Sequence, residues 1–214
     1  MIGILWDLDG TLMDTLEDLR DGVNYAMRKF GYPERTLAEV RRFVGNGARN
    51  LIIRATDGRQ DVDDILAAFH EYYDVHCQDK TAPYPGIPEA LAVLKEKYAM
   101  AIVSNKPDVA VQPLCAQYFP GIYARGEIAG CPRKPAPDMV YAAMEAIGAE
   151  QCIYVGDSEV DVTTAKNAGM PCLSVLWGFR DREDMENAGA KYFCEKAEEL
   201  PSMIGKIVGE VYGK

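Results

Sequence analysis

The chain has 214 residues, 48% of them hydrophobic and 26% charged, a composition that fits a folded globular protein with a substantial core and excludes a disordered chain. Its 23 basic against 33 acidic residues give a net charge of −10. That charge argues against nonspecific binding to nucleic acid or to an anionic membrane, yet allows a small anion to bind where local cations or a metal reverse the field. Residues 2–7 form a short apolar run broken at Gly10, the pattern of a buried strand ending in a tight turn. From Leu16 the period changes: Leu16, Leu19, Val23, Met27 and Phe30 recur every three or four residues and Gly31 follows as a stop, which predicts an amphipathic helix. Helical patterns continue at 36–44, 47–56 and 61–77, the last with a stripe of Val62, Ile65, Leu66, Phe69 and Tyr73.

The segment from Thr81 to Pro88 holds three prolines and a glycine and reads as a stiff connector. After it, strands expected at 100–104, 122–124, 153–156 and 172–176 alternate with helical patterns at 87–97, 107–118, 136–147 and 158–168. Such alternation predicts an α/β fold with a parallel sheet. Because the first strand precedes the all-helical block, that block reads as an insertion, 14–81, into a core of 1–13 and 82–214. No window approaches the ~18 apolar residues of a membrane span. The start of the chain, with no basic segment and an acid at Asp7, does not read as a secretory leader. The six cysteines form no Cys-x-x-Cys pair and no zinc-finger spacing with the two histidines, so free, mostly buried thiols in a reducing cytoplasm are expected.

In an open parallel sheet, ligands bind beyond the carboxyl ends of the strands. Those ends carry Asp7-x-Asp9-Gly10-Thr11, Ser104-Asn105-Lys106 and Gly156-Asp157-Ser158, with Asp161 one turn further on and Lys134 ahead of another strand. Asp7 and Asp9, two apart, point the same way if the strand stays extended. Side-by-side carboxylates repel, so the pair persists if a cation lies between them or one carries a proton. An oxygen-rich cluster of this kind suits Mg²⁺. Each residue also has a plainer use. A single aspartate here serves a turn or a helix cap, Ser104 and Asn105 serve equally as a cap or as anion donors, and Lys134 alone reads as a surface lysine. His70 and His76 read as structural residues on the last helix of the insertion, and Trp177 and Arg180 as packing and surface residues.

The ordered set Asp7-x-Asp9-Gly10-Thr11, Ser104-Asn105-Lys106, Lys134-Pro135 and Gly156-Asp157-Ser158-x-x-Asp161 resembles the haloacid dehalogenase superfamily. The segments Leu176-Trp177-Gly178-Phe179-Arg180, Ala188-Gly189-Ala190 and Val44-Gly45-Asn46-Gly47 resemble its phosphoglycolate phosphatase-like branch. The resemblance implies a Rossmann-like three-layer core and a mobile helical cap, with hinges near 12–16 and 80–86. It implies a hydrolase in which Asp7 attacks phosphorus and forms an aspartyl-phosphate. Asp9 serves as acid and then base, with Thr11 helping to orient it. Mg²⁺ is expected on Asp7, the Asp9 carbonyl and Asp157, with Asp161 direct or through water. Ser104, the Asn105 N–H and Lys134 are expected to bind the phosphoryl group. In the cap, Gly45, Asn46, Gly47 and Arg49 are expected to choose the substrate, a small phosphate ester such as 2-phosphoglycolate. An acid at position 9 suits a phosphatase or a phosphomutase; a sugar phosphomutase, a pyrophosphatase and a nucleotidase share the motifs and stand as alternatives. A monomer or homodimer is expected.

Overall fold

The computed structural model describes residues 1–58 and 61–213. Their contacts divide into two units, 1–12 with 83–213 and 13–82, apart from the residues not described. The first unit opens with β1 (Ile2–Trp6), and the second follows with β2 (Met13–Asp14), α1 (Leu16–Lys29), α2 (Leu37–Phe43), α3 (Gly47–Ala55) and α4 (Val62–His76). β3 (Ala82–Pro83) pairs with β2. The first unit then resumes with α5 (Ile87–Leu94), β4 (Ala99–Pro107), α6 (Asp108–Tyr118), β5 (Tyr123–Glu127), α7 (Asp138–Ala146) and β6 (Gln151–Gly156). It ends with α8 (Glu159–Asn167), β7 (Cys172–Val175), α9 (Arg182–Ala188), β8 (Tyr192–Cys194) and α10 (Leu200–Tyr212).

The sheet of the first unit runs β5-β4-β1-β6-β7-β8, with its strand pairs parallel. β1 lies between β4 and β6: Trp6 is level with Ile102 on one side and Val155 on the other. All five residues of β1 are buried, which is why the strand reads as an unbroken apolar run rather than an alternating one. Leu5, Val103 and Tyr154 point to one face, where Met139, Val140 and Ala143 of α7, Val162 and Ala165 of α8 and Met185 of α9 cover them. Ile4, Ile102 and Ile153 point the other way and are also fully buried, so both faces are covered. The chain winds outward on one side of β1 through β4 and β5, then crosses to β6 and outward again. The crevice beside the end of β1 is thus the topological switch point, where ligands of such sheets bind.

The helical unit has its own core. Leu19, Val23 and Met27 of α1 meet Ile65, Phe69 and Tyr73 of α4, with Leu51 and Ile52 of α3 and Val40 of α2 completing the cluster. Each such large side chain contributes about 1.5–3 kcal/mol on burial. Leu16, Phe30 and Leu66, part of the sequence stripes, pack against this core half-buried. The unit's two ends are tied together by Asp18. Its buried carboxylate accepts from the Lys80 N–H and from both the N–H and the hydroxyl of Thr81. All six cysteines are free, and five are buried. Among the described residues, no helix is long and apolar enough to cross a membrane.

Candidate active site

β1 delivers Asp7 to the switch point: the Asp7 N–H donates to the Val155 carbonyl at 2.8 Å, extending the ladder by one residue past Trp6. β6 ends in Gly156, and Asp157 follows it. Asp161 lies in the first turn of α8, where its Oδ2 accepts from the N–H and hydroxyl of Ser158 in a capping box. Ligand oxygens of Asp7, Asp157 and Asp161 all fall within 4.8 Å of one another, and all three residues are buried.

Lys134 enters this acidic cluster. Its Nζ donates to Asp7 Oδ1 at 2.7 Å, to Asp161 Oδ1 at 2.9 Å and to the Tyr154 hydroxyl at 3.0 Å. An ammonium has three N–H donors, and here each has an acceptor. Tyr154 in turn donates to the Val103 carbonyl at 3.2 Å. The peptide around Lys134, with a cis bond to Pro135, is held by a reciprocal pair with Asn105. The Asn105 amide donates to the Lys134 carbonyl and accepts from the Lys134 N–H. Lys134 is therefore a buried residue of the site, not a surface lysine.

The electrostatics follow from burial. Desolvation, then the charge of Asp161, pushes Asp7 well above the ordinary carboxylate range, while Lys134 pulls it back. Asp157 is pushed up to about 7 by burial and by Asp161, against hydrogen bonds from the Phe179 N–H and Thr11. Burial alone would lower Lys134, but the charges of Asp161 and Asp7 lift it well above the ordinary lysine value.

Thr11 departs from expectation. Its hydroxyl donates to Asp157 Oδ1 at 3.0 Å and so orients Asp157 rather than Asp9. The other Asp157 oxygen accepts from the Phe179 N–H at 2.7 Å. Two glycines make room for this carboxylate. A Cβ on Gly10, whose φ is +87°, would come 2.4 Å from Asp157 Oδ2, and one on Gly178 would come 2.3 Å from Asp157 Cβ. Trp177 donates its indole N–H to the Thr11 carbonyl, a packing role. Arg180 is not a surface residue: it bonds Glu159 and is 10% exposed. Ser104 is buried and accepts from the Lys106 N–H. Asp9 pairs with the buried Lys106 at 3.3 Å. Tyr154, Lys106 and the Phe179 N–H are parts of the site to which sequence reasoning assigns no role. A tyrosine inside an apolar strand reads as core, and a lysine after Ser104-Asn105 reads as flank.

Gly45, Asn46, Gly47 and Arg49 lie in the helical unit. Gly45 and Gly47 adopt φ of +118° and +78°, the left-handed region, on either side of the residue that precedes α3. Arg49 is half exposed and pairs with Asp63. His70 and His76 bond Asp74 and Asp79 on the same surface.

The decisive comparison is a model of the haloacid dehalogenase-like hydrolases that matches residues 4–175. The chain belongs to this family. Among curated relatives, a phosphoglycolate phosphatase from Mesorhizobium japonicum is 36% identical, covering 96% of this chain and 97% of its own. A phosphoglycolate phosphatase from Pseudomonas putida is 37% identical over 82% of this chain and 70% of its own. A candidate phosphoglycolate phosphatase from Lactobacillus delbrueckii subsp. bulgaricus, known from a crystal structure, is 35% identical. It superimposes with a TM-score of 0.90 over 94% of this chain and 97% of that one. The chain is a haloacid dehalogenase-like phosphatase.

Proposed function

We propose that this phosphatase is a Mg²⁺-dependent phosphomonoester hydrolase of the cytoplasm, a monomer or homodimer, acting through an aspartyl-phosphate on a small phosphorylated acid such as 2-phosphoglycolate. The observation that carries the reading is the Lys134 ammonium bonded to Asp7 and Asp161 beside Asp157, at the switch point of the sheet. The curated relatives named phosphoglycolate phosphatase support the substrate.

In this reading an Asp7 oxygen attacks phosphorus in line. A P–O bond to Asp7 forms as the ester P–O bond breaks, and Asp9 gives its proton to the departing alkoxide. Asp9 then takes a proton from water as that water attacks phosphorus, freeing inorganic phosphate and restoring Asp7. Ser104 and the Asn105 N–H hold the phosphoryl oxygens, and Lys134 offsets their charge. Thr11 and the Phe179 N–H fix Asp157. The helical unit, read as a cap of 14–81, selects the leaving group through Gly45, Asn46, Gly47 and Arg49.

Three close, buried carboxylates are the hard oxygen donors that Mg²⁺ prefers, and when all three are ionised one lysine does not offset their charge. Asp7, the Asp9 carbonyl and Asp157 would hold the ion, with Asp161 direct or through water. When bound, it supplies positive charge that lets an anionic carboxylate approach a phosphate dianion.

Metal binding should show a particular pH dependence. Asp157 sits at about 7 in the folded, metal-free protein but near ~3.9 in an unfolded chain. Between those values the folded state holds the extra proton, so metal-free stability falls as pH rises, by at most ~1.4 kcal/mol per pH unit for one group. Mg²⁺ favours the ionised form, so its stabilisation should grow across the same window. Thermal unfolding at pH 5.0, 6.5 and 8.0, with EDTA or Mg²⁺, checks this. A Mg²⁺ effect independent of pH, or unchanged in Asp157→Asn, would contradict it.

Phosphate release from a panel of esters, including 2-phosphoglycolate, sugar phosphates and nucleoside monophosphates, tests the function. Release is expected with Mg²⁺, lost with EDTA and concentrated on the small acid. Release concentrated on another ester would overturn the substrate, and metal-independent release would overturn the mechanism.

A further inference from the structure

We propose that Lys106 is a positioning residue that aims the Asp9 carboxylate for its two proton transfers, an inference that rests on the acid–base role given to Asp9 above. Lys106 Nζ lies 3.3 Å from Asp9 Oδ1, with the lysine side chain 4% exposed and the aspartate 17%. The lysine is thus the anchored partner and the aspartate the one that reaches the crevice.

An irregularity in β4 makes this pairing available. Side chains of a regular strand alternate between faces, so neighbours such as Asn105 and Lys106 would point apart. The pairing of β4 with β5 shifts between Val103 and Pro107. Within that stretch Asn105 holds the Lys134 backbone and Lys106 reaches Asp9. The irregular stretch is held from both sides. The Lys106 N–H donates to Ser104 Oγ, and Asp108 Oδ1 accepts from the Gly126 N–H at 2.7 Å. A Cβ on Gly126 would come 2.6 Å from the Lys106 carbonyl, so the neighbouring strand accommodates this path by carrying no side chain there. A buried ammonium on a supported backbone restricts Asp9 to the orientations that keep the contact. Misplacing a catalytic group by about 1 Å costs on the order of 100-fold in rate.

The test uses two esters and a second background. An alkyl phosphate such as 2-phosphoglycolate needs a proton on its leaving oxygen, whereas p-nitrophenyl phosphate expels a stable phenolate without one. kcat/KM reports the steps up to enzyme phosphorylation, so it isolates the proton donation by Asp9. Lys106→Met should lower kcat/KM for the alkyl ester ~10–100-fold, and for the aryl ester by less than a tenth of that factor. Lys106→Gln, which keeps a hydrogen-bond donor, should fall between wild type and Lys106→Met, and it serves if the methionine variant does not fold. Adding either change to Asp9→Asn should alter the alkyl rate by less than ~3-fold, because residues acting as one unit are not additive. Equal losses on the two esters, or a full further loss in the Asp9→Asn background, would show that Lys106 contacts the phosphoryl group or the substrate itself and would overturn the proposal. A wild type inactive on both esters, or an Asp9→Asn variant with no bias between them, would overturn it together with the reading of Asp9.

Discussion

Asp7→Asn is expected to lower turnover at least ~10³-fold while leaving the metal-free protein no less stable than wild type. The amide keeps the volume of the carboxylate, so packing at the end of β1 is preserved. It also removes a buried negative charge. Burial and Asp161 raise Asp7 well above its ordinary value, so ionised Asp7 works against folding at neutral pH. Lys134 keeps Asp161 and Tyr154 as partners when Asp7 becomes neutral. The measurements are phosphate release under Mg²⁺ and urea unfolding in EDTA. Turnover near the wild-type rate would remove Asp7 as the nucleophile. Normal turnover loss with a drop of several kcal/mol would mean that the carboxylate is structural.

Lys134→Met is expected to show the opposite balance, with fold and activity both suffering. Removing one partner of a buried charge pair typically costs 3–5 kcal/mol. Here the loss leaves Asp7 and Asp161 facing each other without the cation between them, and leaves the Tyr154 hydroxyl without its donor. The two carboxylates can regain neutrality by taking up a proton, so the cost should be larger at pH 8 than at pH 6. Mg²⁺ should return part of it by supplying positive charge to the same cluster. Activity should fall by ~10²–10³-fold, the usual effect of losing one group aimed at developing charge. Urea unfolding at both pH values, with EDTA or Mg²⁺, reads the first effect. A change below about 1 kcal/mol at pH 8 would show that Lys134 does not hold the cluster together.

Much of the architecture was legible because burial writes itself into residue order. β1 is buried on both faces and so reads as Ile2-Gly-Ile-Leu-Trp6 without a polar break. α1 and α4 bury one face each and so show stripes at helical spacing. The acids at strand ends were legible because their number and placement exceed what turns and caps require. Short or exposed elements were not. β2 and β3 have two residues each and β8 has three, too few to show a period. α9 buries only Met185. α10 carries a stripe, Leu200, Ile204, Ile207 and Val208, in a stretch for which the sequence analysis expects no element. The strand expected to end at 104 runs on to Pro107, because pairing resumes with Glu127 after the register shift. Partners distant in sequence were the least visible part of the site. Nothing local tells that Thr11 serves Asp157, that Tyr154 receives Lys134, or that Lys106 reaches back 97 positions to Asp9.

The position of β1 in the sheet has a consequence for how the protein is made. The strand that carries Asp7 emerges early in synthesis, yet its two neighbours are β4 and β6, which end at Pro107 and Gly156. At ~5–20 residues per second, ribosomes need roughly ten to thirty seconds to supply both. The helical unit has its whole set of internal contacts by Ala82 and can collapse while the apolar Ile2–Trp6 segment still waits. That segment is short of polar side chains and has open edges on both sides, the features that invite pairing with a foreign strand. Crowded, rapid expression should therefore send more of this chain into aggregates than slow expression at low temperature, and Asp7 cannot take its place between its neighbours until β6 has been made.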